Sequence, residues 1–106
     1  MPNANIKLLY TIDANVLAKQ ISNLVGAILN PQDFKREAKD GGVLFSYTKG
    51  DYVIGAYNHP TRNHSVSVKE GYIKVTKEKS SARSGVWAIA WIKSGSKKKK
   101  VEHWVS

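Results

Sequence analysis

The fold of this chain is decided by residues 57–68, which read Tyr57-Asn58-His59-Pro60-Thr61-Arg62-Asn63-His64-Ser65-Val66-Ser67-Val68. Pro60 fixes its own φ angle and keeps His59 out of the helical region, so this part of the stretch predicts a turn. From His64 onward, polar and apolar residues alternate strictly. This period of two predicts a half-buried strand that begins directly after the turn.

The rest of the chain after residue 41 also predicts short strands separated by turn signals. We expect these strands at residues 43–48, 52–57, 72–77, 85–93 and 101–105, in addition to the strand that begins at His64. The residues between the first two include Gly50, which is typical of a hairpin loop. Six short strands with tight connections predict a mainly β fold, either an antiparallel β-sandwich or a strongly curved sheet.

The strand predicted at residues 85–93 is the most aromatic one. Trp87, Ile89 and Trp91 share one of its faces, and the other face is also apolar. A strand with two apolar faces is usually covered by another layer on each side, so we expect it to be central in its sheet. The preceding residues 79–84 are polar and basic, and they predict a loop.

The N-terminal part predicts a different architecture. Residues 6–10 form an apolar run typical of an edge strand, and apolar residues then recur at helical spacing from Ile12 to Leu29. They predict one amphipathic helix of about four to five turns, packed either on the core or on a second copy of the chain in a homo-oligomer. A second short helix is predicted at residues 31–40, which begins with Pro31 and ends before Gly41 and Gly42.

The glycine pair is the predicted boundary within the chain. It separates an N-terminal strand and helical extension, residues 1–40, from an antiparallel β domain, residues 41–106. The whole chain has 106 residues and no cysteine, so disulfides contribute nothing and the core must come from packing. Its three Trp and five Tyr residues supply large apolar surfaces for that purpose.

Positive charge is concentrated in the second part of the chain. The formal net charge is +9, to which residues 1–42 contribute five Lys/Arg against four Asp/Glu and residues 43–106 contribute twelve against four. Such a field favours an anionic partner, such as an envelope surface, a phosphorylated lipid head group or nucleic acid. The run Lys97-Lys98-Lys99-Lys100 is either a solvated loop or a patch that binds phosphates.

No segment of the chain predicts a membrane span or a signal peptide. The apolar runs are shorter than the ~20 residues that a spanning helix requires, and no small-residue cleavage site follows an apolar stretch. We therefore expect a chain that is cytosolic, is exported by another route or has been cut from a leader.

The three histidines are the candidates for chemistry. His59 and His64 lie five residues apart, which is not the spacing of a helical metal pair, so a zinc site would require His103 to fold back onto them. We expect neither a metal nor another cofactor. A histidine pair beside Arg62 could act as general acid and base in a ribonuclease. In the simpler interpretation, His59 caps the turn and His64 begins the strand.

Residues 57–68 resemble the signature of the lactococcin 972 family of bacteriocins. In that family an aromatic-rich strand leads to a turn with a histidine and a basic residue, followed by a second histidine and alternating valines. Downstream, the segment Ala82-Arg83-Ser84-Gly85-Val86-Trp87-Ala88 is similar to the family's Gly-x-Trp segment. Asp40-Gly41-Gly42 stands where mature members begin, although the Trp that usually follows the glycine pair is replaced by Val43-Leu44-Phe45. The resemblance covers residues 40–106.

The resemblance implies a small, secreted, non-enzymatic antibacterial peptide that acts on related Gram-positive bacteria. The type member of the family blocks septum formation by engaging the cell-wall precursor lipid II, whose pyrophosphate suits a basic protein. The residues that we expect to bind the envelope are Tyr57, His59, Arg62, His64, Trp87, Lys97, Lys98, Lys99 and Lys100. The alternatives are a basic nucleic-acid-binding module, in which exposed tyrosines stack on bases, and a small ribonuclease toxin.

Overall fold

The computed structural model describes residues 14–71, 75–93 and 101–106. Within these ranges the elements are one helix, one 3₁₀ turn and seven strands. In chain order they are α1 (Ala14–Val25), the 3₁₀ turn Pro31–Asp33, β1 (Lys35–Lys39), β2 (Gly42–Tyr47), β3 (Tyr52–Asn58), β4 (His64–Glu70), β5 (Thr76–Ala82), β6 (Ala88–Lys93) and β7 (Val101–Val105). The edge strand predicted at residues 6–10 and the lysine run at residues 97–100 lie outside the described residues.

The strands form two antiparallel sheets, which confirms the prediction of a mainly β sandwich. One sheet has the order β1-β2-β3-β6 and the other has the order β5-β4-β7. The core between the two sheets contains the buried side chains of Leu44, Val53, Tyr57, Val66, Val68, Ala88, Ala90 and Ile92. None of the helices that the structure describes is long and apolar enough to cross a membrane.

Helix α1 covers the other face of the four-stranded sheet. Leu17, Ala18 and Ile21 are fully buried there, and they belong to a second core that includes Phe45, Ile54 and Trp87. The predicted helix is too long at its C-terminal end, because Gly26 has a positive φ angle of 74° and ends α1. Beyond that point the Ser22 hydroxyl accepts a hydrogen bond from the Leu29 backbone N–H at 3.1 Å, and the chain turns back toward the sheet.

The prediction of a second helix at residues 31–40 is wrong. Pro31 starts only one 3₁₀ turn, and the chain then becomes extended at Phe34, whose ring packs 4.8 Å from the Tyr47 ring. β1 follows and pairs with β2 through a tight turn at Asp40 and Gly41, both of which have positive φ angles. Asp-Gly is a strong hairpin signal, and here it outweighs the local helical pattern.

The consequence concerns the predicted division of the chain at residue 40. The hairpin of β1 and β2 crosses that position, so the glycine pair lies inside a sheet rather than between two separated parts. The division of the chain into an extension, residues 1–40, and a β domain, residues 41–106, stays a prediction.

Two predictions in the second half of the chain are also wrong. The polar residues 79–84 are not a loop, because most of them belong to β5, which pairs with β4 along its full length. A strand at the edge of a sheet needs no apolar face when only its backbone is paired. The polar sequence therefore has no alternation from which β5 could be predicted. β6 is an edge strand rather than a central one, because it is the last strand of the order β1-β2-β3-β6. Its two faces are nevertheless both apolar, because one packs in the core below α1 and the other in the core between the sheets.

The apolar stripe of α1 is only partly used in the core. Leu24 is 55% exposed and Ile28 is fully exposed, whereas Ile21 is completely buried. The expectation that the whole stripe packs on the core is therefore wrong for Val16, Leu24 and Ile28, whereas Leu29 is buried in the core. The predicted self-association through the helix stays a prediction, and Leu24 and Ile28 are the residues to test for it.

We expect the two aspartate substitutions Ile21→Asp and Leu24→Asp to differ sharply in their effect on stability. An aspartate at Ile21 removes core packing and buries a charge, so the free energy of unfolding should fall by about 3–5 kcal/mol. An aspartate at Leu24 stays in solvent, and the loss should be at most about 0.5 kcal/mol. Denaturant unfolding of both variants measures these values.

Leu24→Asp is the matched control, because it introduces the same charge one helical turn away. Equal losses in the two variants would contradict the orientation of α1. Sedimentation of the wild-type chain and of Leu24→Asp tests self-association in the same samples, since a dimer formed through this face should dissociate in the variant.

Candidate functional site

The connection between β3 and β4 carries the candidate site. The chain leaves the four-stranded sheet at Asn58 and enters the three-stranded sheet at His64, so residues 59–63 join the two layers of the sandwich. We call this region the histidine corner and define it by Tyr57, Asn58, His59, Arg62 and His64. The stretch with the strongest sequence signal is therefore the corner that connects the sheets.

His59 closes the turn through its ring and its backbone. Its Nδ1 atom accepts a hydrogen bond from the Thr61 backbone N–H at 3.2 Å, and its carbonyl accepts one from the Gly85 N–H at 2.7 Å. The ring is 7% exposed, and a Cβ atom placed on Gly41 would lie 2.9 Å from its Nε2 atom. The imidazole therefore fills the space that the missing side chain of Gly41 leaves.

His64 ties the corner to the segment that precedes β6. Its Nδ1 atom lies 2.9 Å from the Arg62 carbonyl oxygen and its Nε2 atom lies 2.7 Å from the Val86 carbonyl oxygen, and the side chain is only 4% exposed. Carbonyl oxygens only accept hydrogen bonds, and a neutral imidazole donates from one nitrogen. A neutral ring therefore donates to one of the two carbonyl oxygens, and its tautomer decides which one.

Tyr57 supports the corner from the core. Its ring is fully buried and stands edge-on to the His64 ring, with 5.5 Å between the centroids, and its hydroxyl donates to the Lys39 carbonyl at 2.7 Å. Burial raises the pKa of Tyr57, which the positive charge of Arg62 opposes. The phenol therefore acts as a hydrogen-bond donor that joins β3 to the end of β1.

Two buried polar groups beside the corner have no hydrogen-bond partner among the described residues. Asn58 donates from Nδ2 to the Gly85 carbonyl at 3.2 Å, but its Oδ1 atom accepts no hydrogen bond from the described residues. The Trp87 Nε1–H likewise has no acceptor among the described residues. The Trp87 ring lies on the helix side of the sheet, 5.9 Å from the Phe45 ring. Trp87 is thus a core residue that anchors the segment bonded to the corner.

The structure brings together four of the residues predicted to bind a ligand. Tyr57, His59 and His64 form a buried cluster, and Arg62 is the exposed cation beside it. Trp87 lies apart from them in the other core, and Lys97 to Lys100 lie outside the described residues. The binding roles of all these residues stay predictions.

His103 does not join the other two histidines. It projects between the sheets, where its Nε2 atom donates to the Ile54 carbonyl at 3.0 Å, and burial lowers its pKa. Among residues 14–71, 75–93 and 101–106, no group of three His, Cys, Asp or Glu side chains is placed to hold a metal ion.

Sequence reasoning missed the role of the glycine pair. A Cβ atom on Gly42 would lie 2.8 Å from the Tyr57 ring and closer still to the Asn58 carbonyl oxygen. The sequence predicts a helix end at this pair, whereas in the structure the missing side chains leave the space into which Tyr57 and His59 pack. The only available signal was the Asp-Gly hairpin dipeptide, because packing across strands depends on a register that the sequence does not print.

The fold and the corner define a class: a small cysteine-free β-sandwich whose two sheets are joined through a pair of buried histidines. A comparison with protein families gives a match to the family described as Bacteriocin (Lactococcin 972) over residues 42–104. The chain belongs to the lactococcin 972 family of bacteriocins. Its members are antibacterial proteins and are generally secreted.

Two further comparisons concern solved structures and curated protein sequences. The solved structure of Lactococcin 972 is similar over 69% of this chain and 92% of that chain, with 18% sequence identity and a TM-score of 0.46. A search of curated protein sequences finds no match.

The packing at the glycine pair predicts that Gly42→Ala will destabilise the protein. The added methyl group has to displace the Tyr57 ring or the β3 backbone, so we expect a loss of about 2–3 kcal/mol in denaturant unfolding. Gly50→Ala is the comparison, because Gly50 has open space around it but a φ angle of 64°. It should cost about 1 kcal/mol from backbone strain. A larger loss at Gly50 would contradict the proposed packing.

His103 predicts a loss of stability at acidic pH. Its pKa is lowered in the folded protein, so the unfolded chain binds a proton first as the pH falls. The stabilisation is complete above the unfolded pKa of about 6.5 and decreases as the pH falls below that value. Thermal unfolding between about pH 7.5 and 5 should show this decrease, and His103→Gln should flatten it. An unchanged pH profile in the variant would exclude His103 as the cause.

Proposed function

We propose that this chain is a non-enzymatic bacteriocin that acts outside the producing cell by binding the anionic pyrophosphate of lipid II in the envelope of related Gram-positive bacteria. The observation that supports this proposal most is the difference in exposure between the groups of the histidine corner. Its aromatic and imidazole rings are buried, and the exposed functional group is the Arg62 guanidinium. A guanidinium presents a planar set of donors that matches phosphate oxygens.

The state of the histidines supports binding rather than catalysis. A general acid and base need ring nitrogens that can reach a substrate. At the corner, both nitrogens of His64 face backbone carbonyls and the Nδ1 atom of His59 is occupied by the Thr61 N–H. These contacts of the two rings hold the turn, which disfavours the ribonuclease alternative.

The net charge of +9 supports an anionic target in the same way. A positively charged surface increases the rate at which a protein meets a membrane that carries anionic lipids. In this proposal the lysine run 97–100 contributes to that attraction, and Arg62 contributes the local contact.

We expect Arg62→Gln to weaken binding to vesicles that contain lipid II by about tenfold, because a charge-assisted hydrogen bond to phosphate is lost. Killing of growing Gram-positive cells should fall in parallel. Arg36→Gln is the matched control, since Arg36 is exposed on β1 and its loss changes the net charge equally. It should change the affinity by at most about twofold. Vesicles without lipid II measure the general attraction to the membrane.

The alternatives are tested with the same proteins and labelled RNA. Replacing both His59 and His64 with Gln should reduce antibacterial activity only as far as it loosens the corner, and no RNA cleavage should occur in any variant. Cleavage that is present in the wild type and absent in the double variant would overturn the proposal in favour of a ribonuclease. Tight, salt-dependent binding to nucleic acid without killing would favour a nucleic-acid-binding module.

A further inference from the structure

The three-stranded sheet presents its own surface on the side away from the core. Val66 and Val68 of β4 point into the sandwich, so the alternating residues of β4 point outward. Cross-strand partners share a face, and the register therefore places residues from all three strands together. We call this surface the outer face and define it by Ser65, Ser67, Lys69, Lys77, Lys79, Ser81, Glu102 and Trp104.

Trp104 is the one aromatic side chain of this face. It stands opposite Ser67 in the register, and the Lys77 ammonium on the far side of β4 lies 5.0 Å above the centroid of its ring. Lys77 and Trp104 therefore meet across the central strand, which small serine side chains allow. The crossing also explains why Ser67 is only 3% exposed although it points away from the core.

The charge of the outer face is positive. Lys69, Lys77 and Lys79 lie on two adjacent strands, and Glu102 is the one carboxylate among the residues that define the face. Two lysines, Lys69 and Lys77, also line an open cleft of about 820 Å³ together with Val75, Glu102, His103 and Trp104.

We propose that the outer face binds an anionic envelope polymer, specifically one in which sugar alcohols that carry sugar substituents are linked by phosphodiesters. A sugar ring packs its C–H groups on the Trp104 indole. The neighbouring phosphate binds Lys69, Lys77 and Lys79 at the surface without displacing any core residue. The Lys77 ammonium stands over the ring, so one sugar phosphate reaches both groups at once.

The aromatic content of the outer face favours a glycan over a nucleic acid. Surfaces that bind single strands present several aromatic rings on which successive bases stack, whereas Trp104 is the one aromatic ring among the eight described residues that define the outer face. The choice of an envelope polymer rests on the proposed function, because a secreted bacteriocin meets such polymers before it reaches the membrane. The outer face is separate from the histidine corner, so the two surfaces can bind different parts of the envelope.

The test measures binding of the purified full chain to wall teichoic acid, a polymer of sugar alcohols and phosphates with sugar substituents. Neutral dextran, polyphosphate and a single-stranded oligonucleotide are the comparison probes. We expect Trp104→Ala, and the triple change of Lys69, Lys77 and Lys79 to Gln, each to weaken teichoic acid binding at least tenfold. Trp104→Leu separates stacking from folding, since it keeps an apolar cover over Ser67, and it should lose binding while its thermal unfolding stays close to that of the wild type.

The matched control removes three lysines elsewhere. Lys19, Lys35 and Lys93 are exposed on the helix and on the four-stranded sheet, and changing all three to Gln alters the net charge by the same amount. This variant should keep teichoic acid binding within about twofold. An equal loss in both triple variants would overturn the proposal, because net charge alone would then explain the binding.

The remaining outcomes also decide the matter. No binding of the wild type to teichoic acid, or tighter binding to the oligonucleotide, overturns the proposal. Equal binding to polyphosphate and no effect of Trp104→Leu overturns it as well, since the sugar would then contribute nothing. Failure here is distinguishable from failure of the proposed function, because lipid II binding is measured separately in vesicles and depends on Arg62.

Discussion

The structure depends on the two contacts of the His64 ring. One joins β4 to the turn that delivers it, at the Arg62 carbonyl, and the other joins it to the Val86 carbonyl before β6. The first strand lies in one sheet and the second strand lies in the other. In a chain without disulfides, a buried imidazole with two carbonyl partners therefore does the work of a cross-link between the layers of the sandwich.

The packing around His64 is coupled to these two contacts. Tyr57 packs against its ring, and Tyr57 in turn requires that Gly42 has no side chain. His59 requires the same of Gly41. The hairpin of β1 and β2, the corner and the segment before β6 are thus specified together, which places the only exposed member of the corner, Arg62, at a fixed position beside them. In the proposed function the contact with the ligand is made by this surface cation, whose backbone the buried groups hold in place.

The sequence predicted the parts of the fold whose signal is local. The alternation from His64 predicted β4, the Gly-containing loop predicted the hairpin of β2 and β3, and the helical spacing predicted α1 as far as its end at Val25. It failed where the answer depends on distant partners. β5 has no apolar face and is held by its pairing with β4, and residues 35–39 form a strand because β2 is available as a partner.

The site shows the same limit. Tyr57, His59, Arg62 and His64 are close in sequence, and their proximity in space could be predicted from the turn. That Trp87 faces the helix, and that Trp104 meets Lys77 across β4, depends on strand register and on which sheet each strand joins. These relations could not be predicted from local patterns.

The central claim is that the buried His64 ring is a structural tie between the two sheets, and nuclear magnetic resonance of the ¹⁵N-labelled ring tests it most directly. The account predicts a ring proton that exchanges slowly with water and is coupled to the carbonyl carbon of Arg62 or of Val86. A ring proton that exchanges freely with water, with no coupling to either carbonyl carbon, would contradict it.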